Sequence, residues 1–200
     1  MTRCLMLDVD GVVIKGRPED GRPWATSLEA DLGIAPAKLQ EVFFAPHWPD
    51  IVMGRKDLLE VLQSCMPLMS PSVTPEEFIT YWFEKDSRID ASVLTQCATL
   101  RAEGMQVFLA SNQEHMRARH IMERLGLRDH VDGMIYSAQL GERKPDRAFF
   151  DGVATRIGRA PSELVLVDDT EANVDAARNA EWAARHWTEG ASLIDLLRGL

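Results

Sequence analysis

With 200 residues, 46% of them hydrophobic and 26% charged, the chain is long enough to bury a core and too short for two large domains. Lys and Arg number 22 against 31 Asp and Glu, a net charge of −9, which argues against a nucleic-acid backbone or an anionic membrane as partner. The cysteines Cys4, Cys65 and Cys97 form no C-x-x-C pair, so neither a disulfide framework nor a Cys-rich zinc site is expected, and the expected setting is a reducing cytoplasm. No apolar stretch approaches the roughly 18 residues of a membrane span.

The first apolar run, Cys4 to Leu7, stops at Asp8-Val-Asp10-Gly11. Three more short runs follow: Gln106 to Ala110 before Ser111-Asn112-Gln113, Met134 to Tyr136 before Ser137, and Leu164 to Val167 before Asp168-Asp169-Thr170. Near-continuous apolar runs too short for buried helices read as strands covered on both faces, and polar clusters just past their carboxyl ends are where open parallel sheets place ligands. Helical patterns lie between them: Ala91 to Glu103 with Gly104 as a stop, Glu114 to Leu125 closed by Gly126, Arg147 to Ile157, and Ala172 to Ala180. The alternation predicts an α/β fold with a doubly wound, Rossmann-like parallel sheet, and Leu193 to Leu197 as a last amphipathic helix docked on it.

Residues 16 to 88 break this rhythm. Helical patterns at Leu28 to Leu32, Pro36 to Phe44, Lys56 to Cys65 and Pro75 to Phe83 are separated by Gly33, Pro46, Pro49, Gly54, Pro67 and Pro71, with no convincing strand. The expected organisation is an α/β core of residues 1–15 and 89–200 with an inserted small helical cap over 16–88. The plainer reading is an ordinary helical layer packed on the sheet.

Asp8 and Asp10 follow a strand at i and i+2, with Gly11 next, where the chain can turn sharply and bring its own amides toward a ligand. Two carboxylates side by side need a cation. If the strand ending in Asp168 and Asp169 is a neighbour, three or four carboxylates converge with oxygen-only ligands, which suits Mg²⁺ completed by water and phosphate oxygens. Asp8, Asp10, Asp168 and Asp169 are therefore the candidate metal ligands. On the same rim Ser111 offers a hydroxyl and Lys144 a point charge, both suited to a phosphoryl group.

Four ordered motifs then resemble the haloacid dehalogenase-like hydrolase superfamily over nearly the whole chain: Asp8-Val-Asp10-Gly11-Val12-Val13, Leu109-Ala-Ser111-Asn112, Glu142-Arg-Lys144-Pro145-Asp146 and Val167-Asp168-Asp169-Thr-Glu-Ala-Asn173. Within it the likeness is to sugar-phosphate phosphatases and to the amino-terminal phosphatase domain of soluble epoxide hydrolases. The resemblance implies Asp8 as nucleophile, Asp10 as general acid and base, Ser111 and Lys144 on the phosphoryl oxygens, and Asp169 with Asp8 on Mg²⁺, with Asp168 binding directly or through water. It also implies that the insert is the family's helical cap. One departure is that the usual Ala-x-x-x-Gly turn after Asn173 reads Ala177-Arg-Asn-Ala-Glu181, so Asn179 or Glu181 must end the helix as Gly would.

The expected activity is Mg²⁺-dependent hydrolysis of small phosphorylated, sugar-phosphate-like metabolites through an aspartyl-phosphate. A 2-haloacid dehalogenase, a phosphomutase and a non-catalytic metal- or phosphate-binding module remain as alternatives. An EF-hand reading of Asp8-x-Asp10 fails, because Val12 and Val13 stand where a ligand and a glycine are required. Ser111 is also a candidate cap for the helix beginning near Glu114. The five histidines lack zinc spacing, and His115, His120, His130 and His186 read as surface or packing residues. Gly11, Ser111, Asn112 and Lys144 are the candidate substrate-binding residues in the core, with His47 and Arg55 as candidates in the insert. Neither the particular substrate nor the oligomeric state is legible.

Overall fold

The computed structural model describes residues 4–198. The four apolar runs form strands β1 (Cys4–Leu7), β2 (Gln106–Ser111), β3 (Gly133–Tyr136) and β4 (Leu164–Asp168). A fifth, β5 (Ala183–His186), completes a wholly parallel sheet of order β3-β2-β1-β4-β5. β5 escapes a hydrophobicity reading because it is an edge strand, half-exposed, with Arg185 and His186 in its four residues. The chain runs outward from β1 on one side and returns to β4 on the other, so the order reverses beside β1, where such sheets open a crevice past their carboxyl ends.

Alternation along the strands builds two cores. Leu5, Leu7, Val107, Leu109, Val165 and Val167 face helices α5 (Ala91–Ala102), α6 (His115–Arg119, continued by a π turn over His120–Arg124) and α10 (Leu193–Leu197). Cys4, Met6, Ala110, Leu164 and Leu166 face α8 (Arg147–Ile157) and α9 (Glu171–Asn179), with the single turn α7 (Ser137–Leu140) nearby. After α9 it is Glu181 that takes the left-handed conformation, with φ 67, in the place of the usual glycine.

The residues between β1 and α5 contribute no strand to the sheet and have a core of their own, with Leu28, Phe43, Leu62, Phe78 and Trp82 fully or almost fully buried. Their helices are α1 (Leu28–Leu32), α2 (Pro36–Leu39, a π turn over Gln40–Phe44, then Ala45–Ile51), α3 (Leu58–Met69) and α4 (Pro75–Lys85). Three prolines expected as separators are helical instead. The wider π turn carries α2 past Pro46, the Val42 carbonyl accepts from Cys65 Sγ at 3.5 Å, and Pro49 and Pro67 sit inside α2 and α3. Burial of Phe43, Cys65 and Met66 on these helices outweighs the missing N–H groups. Capping fixes where α3 and α4 begin: Asp57 accepts from Glu60 N–H at 3.0 Å, and Thr74 and Glu77 form a reciprocal box. The two connections to the sheet are hydrogen-bonded to each other, Lys15 N–H to the Arg88 carbonyl at 2.8 Å and Arg88 N–H to the Gly16 carbonyl at 3.0 Å.

Candidate active site

Three strand ends meet at the crevice. Asp8 follows β1, Ser111 ends β2, and Asp168 ends β4, each placed by parallel pairing of β1 with both neighbours. Asp8, Ser111 and Asp168 are buried. Asp169 is exposed at the rim. Among the described residues, carboxylate oxygens of Asp8, Asp168 and Asp169 lie within 4.8 Å of one another.

Lys144 reaches this cluster from the loop before α8. Its ammonium, 2% exposed as a residue, sits 3.0 Å from Asp8 Oδ1 and 2.5 Å from Asp168 Oδ2. Burial opposes its charge, but Asp8 and Asp168 outweigh that effect and hold its pKa above the ordinary lysine value. Burial pushes Asp8 up to about 6, with Asp168 adding to the rise and Lys144 and the Ser111 hydroxyl opposing it. Asp169 is likewise raised, by burial and then by Asp168. Three clustered carboxylates, two of them on the one ammonium of Lys144, leave a surplus of negative charge in an all-oxygen donor set, which is the chemistry of a hard divalent cation such as Mg²⁺.

Neighbouring residues fix these groups. Asp8 Oδ1 accepts from Val9 N–H at 2.7 Å. Asp168 accepts from Thr170 N–H at 2.9 Å and from Asn173 Nδ2 at 3.0 and 3.2 Å, so its orientation is set from α9. Gly11 has φ +81, and a Cβ there would lie 2.0 Å from Asp169 Oδ2. Only glycine allows that carboxylate to lie over the turn.

The structure brings Asp8, Asp10, Gly11, Ser111, Asn112, Lys144 and Asp169 to the wall of one cavity of about 350 Å³. Size does not single it out: a cleft of about 600 Å³ between α4 and α6, lined by Phe83 and Arg119 among others, holds no such carboxylate cluster. Asp10 lies outside the cluster of potential metal ligands, because its two oxygens accept from Arg117 Nη2 at 2.7 Å and Gln113 Nε2 at 2.5 Å. Its side chain is therefore spoken for by donors from the α6 end of the site. Asn112 faces the cavity, but both ends of its amide hold the Lys144 backbone, accepting from its N–H at 2.8 Å and donating to its carbonyl at 2.9 Å. It thereby braces Lys144 at the cavity wall.

His47 and Arg55 are absent from the cavity wall. His47 Nδ1 is buried without a partner, and Arg55 is an exposed cation 4.0 Å from Asp50. Both belong to the packing and surface of α2 and the turn after it. Nor does Ser111 cap α6, since Glu114 does so itself, accepting from Met116 N–H at 2.7 Å and from Arg117 N–H.

Sequence reading overlooked Gln113, Arg117 and Asp86. The contacts of Gln113 and Arg117 run to a residue distant in the chain, 103 residues separating Gln113 and 107 separating Arg117 from Asp10, so no local pattern marks them.

A family model for haloacid dehalogenase-like hydrolases matches residues 2–181. The chain is 26% identical over 189 residues to a phosphorylated carbohydrates phosphatase of Thermotoga maritima, covering 88% of this chain and 81% of that one. It is 30% identical over 113 residues to a sesquiterpene phosphatase of Aspergillus oryzae, covering 56% of this chain and 58% of that relative's length. A haloacid dehalogenase-family enzyme of Bacteroides thetaiotaomicron, solved with magnesium and inorganic phosphate, superposes with a TM-score of 0.80 over 99% of this chain and 100% of its own. At 20% identity that likeness speaks for the fold alone. The match over most of the chain, on a fold whose strand ends gather Asp8, Ser111, Lys144 and Asp169, places the protein in the haloacid dehalogenase-like hydrolase family.

Proposed function

We propose that the protein is a Mg²⁺-dependent phosphatase of small phosphorylated metabolites, acting through a phosphoryl group carried on Asp8. The observation that carries this reading is the cluster of the Asp8, Asp168 and Asp169 carboxylates at the mouth of a cavity, with the buried Lys144 ammonium on Asp8 and Asp168. The phosphatase relatives support a phosphate ester as substrate. A dehalogenase would need only the nucleophilic carboxylate; three clustered carboxylates with one lysine call for a cation, and a phosphate dianion has use for one.

Mg²⁺ held by Asp8, Asp168 and Asp169 would neutralise charge on the phosphoryl oxygens and on the attacking carboxylate. Asp8, whose Oδ1 is fixed by Val9 N–H and Lys144, bonds to phosphorus through a carboxylate oxygen as the bond to the leaving oxygen breaks. The electron pair goes to the leaving oxygen, which takes the Asp10 proton and departs as an alcohol. Water then bonds to phosphorus and gives its proton to Asp10, while the bond from Asp8 to phosphorus breaks and its electron pair returns to the carboxylate. Ser111 and Lys144 hold the equatorial oxygens throughout. The helices between β1 and α5 serve in this reading as a cap that limits access and selects substrate.

The test is phosphate release from a panel of phosphorylated metabolites in Mg²⁺ and in EDTA, with a 2-haloacid as control. Mg²⁺-dependent release from at least one ester is expected, and none of the haloacid should react. Halide release without phosphate release would overturn the reading.

A further inference from the structure

The least expected group near the site is Arg117. Its side chain is only 2% exposed, yet its guanidinium serves two carboxylates on different parts of the chain: Asp10 Oδ1 at 2.7 Å through Nη2, and Asp86 Oδ2 at 3.0 Å. Nη1 also donates to the Asp86 carbonyl at 3.2 Å. The Phe83 ring lies 6.0 Å away, on the helix whose end Asp86 caps. A buried guanidinium needs a carboxylate partner to offset its desolvation. Here Asp86 alone would match it, whereas Asp10 is half-exposed at the cavity wall and needs no buried partner.

Left to itself, a half-exposed aspartate samples several rotamers. Asp10 has one donor on each oxygen, Arg117 of α6 on Oδ1 and Gln113 Nε2, from the segment between β2 and α6, on Oδ2 at 2.5 Å. A two-point hold on a planar group fixes its plane as well as its position. The guanidinium is fixed in turn by Asp86, burial and Phe83. Asp86 is raised to about 6 by burial against the pull of Arg117, which fits a guanidinium shared between two acids.

We infer that Arg117, assisted by Gln113, is a positioning residue that holds the Asp10 carboxylate in line with the leaving oxygen and the attacking water. The inference rests on the reading of Asp10 as the acid and base. It requires that losing Arg117 hurt the steps that use Asp10 and spare those that do not.

The experiment compares kcat and KM for an alkyl ester, glycerol phosphate, and for p-nitrophenyl phosphate, with Mg²⁺ present. Arg117→Met is measured in the parent and in an Asp10→Asn background, with Arg117→Lys as the conservative variant. The alkyl leaving group needs a proton far more than nitrophenolate does. Arg117→Met should therefore lower kcat for glycerol phosphate by about 10²-fold and for the nitrophenyl ester by less than about tenfold, with both KM values within about threefold. In the Asp10→Asn background it should cost no more than about twofold on either ester, because the group it acts through is gone. Arg117→Lys, with one donor point in place of a fork, should recover part of the selective loss. Equal losses on both esters, or the same loss with and without Asp10, would overturn the inference. If Arg117→Met fails to fold, Gln113→Leu must show the same leaving-group-selective loss, and its absence would overturn the inference as well. The two levels separate cleanly: Asp10→Asn without leaving-group selectivity refutes the acid–base reading and the inference with it, whereas selectivity in Asp10→Asn but not in the Arg117 and Gln113 variants refutes the inference alone.

Discussion

Replacing Lys144 by Met keeps most of the side-chain volume and removes the one cation that, among the described residues, sits on Asp8 and Asp168. At an effective dielectric near 20, each contact of about 3 Å is worth roughly 5 kcal/mol before desolvation, and breaking a buried pair usually costs about 3–5 kcal/mol. Asp8 offers an escape. Its pKa is already pushed up to about 6, so taking a proton costs at most about 3 kcal/mol at pH 8 and almost nothing at pH 5. In EDTA the variant should therefore be destabilised by about 3 kcal/mol at pH 8, a fall in Tm of roughly 6–12 °C for a chain of this size, with the deficit shrinking strongly by pH 5. Added Mg²⁺ should raise Tm more in the variant than in the parent, since it meets three carboxylates with no competing ammonium. Turnover should fall by at least about 10²-fold in both cases, because phosphoryl oxygens lose their charge partner. The assay is thermal unfolding by circular dichroism at both pH values, with and without Mg²⁺. A deficit that is the same at pH 5 and pH 8, or a Mg²⁺ response no larger than the parent's, would refute the placement of Lys144 within the charged cluster.

Asp8→Asn should fold and lose turnover, and more than a few per cent of residual phosphatase activity in a pure sample would remove Asp8 from the nucleophile's role. Gly11→Ala should cost about 1–2 kcal/mol in backbone strain, because φ is +81 there, and should weaken Mg²⁺ binding at least about tenfold by displacing Asp169; calorimetric titration with Mg²⁺ checks this. Asp86 gives a pH test with a definite sign. Its native pKa of about 6 lies above the ordinary value of 3.8, so the native state binds its proton more tightly than the unfolded state, and the parent loses stability from this group as pH rises from about 4 to 6. Asp86→Asn lacks that titration, so its stability relative to the parent should improve across that window, read from urea unfolding, by up to about 3 kcal/mol.

The sheet and most of its helices were legible because buried parallel strands leave unbroken apolar runs that end at polar clusters. β5 was not, since an edge strand of Ala, Arg and His carries no such signature. The prolines misled at α2 and α3, where tertiary burial of Phe43, Cys65 and Met66 overrides local propensity. At the site, short motifs next to strand ends pointed to Asp8, Ser111 and the paired aspartates, because a strand end fixes direction as well as place, and Lys144 was read from the motif before α8. His47 and Arg55 were chosen by residue type alone, within helices whose orientation the sequence does not encode, and neither lies on the cavity wall. Asn112 lines the cavity, and its hold on the Lys144 backbone, 32 residues away, had no local signature. The Arg117 bridge to Asp10 spans 107 residues, so no local pattern could announce it.

The central claim is that phosphoryl transfer passes through Asp8. Its most direct test is acid quenching of Asp10→Asn in the pre-steady state with p-nitrophenyl phosphate and Mg²⁺, followed by peptide mass spectrometry. The mechanism predicts a hydroxylamine-sensitive phosphoryl adduct on the peptide containing Asp8, approaching one equivalent, formed together with a burst of nitrophenolate and absent in EDTA. Steady release of nitrophenolate and phosphate with no adduct on that peptide, or an adduct on any other residue, would contradict it.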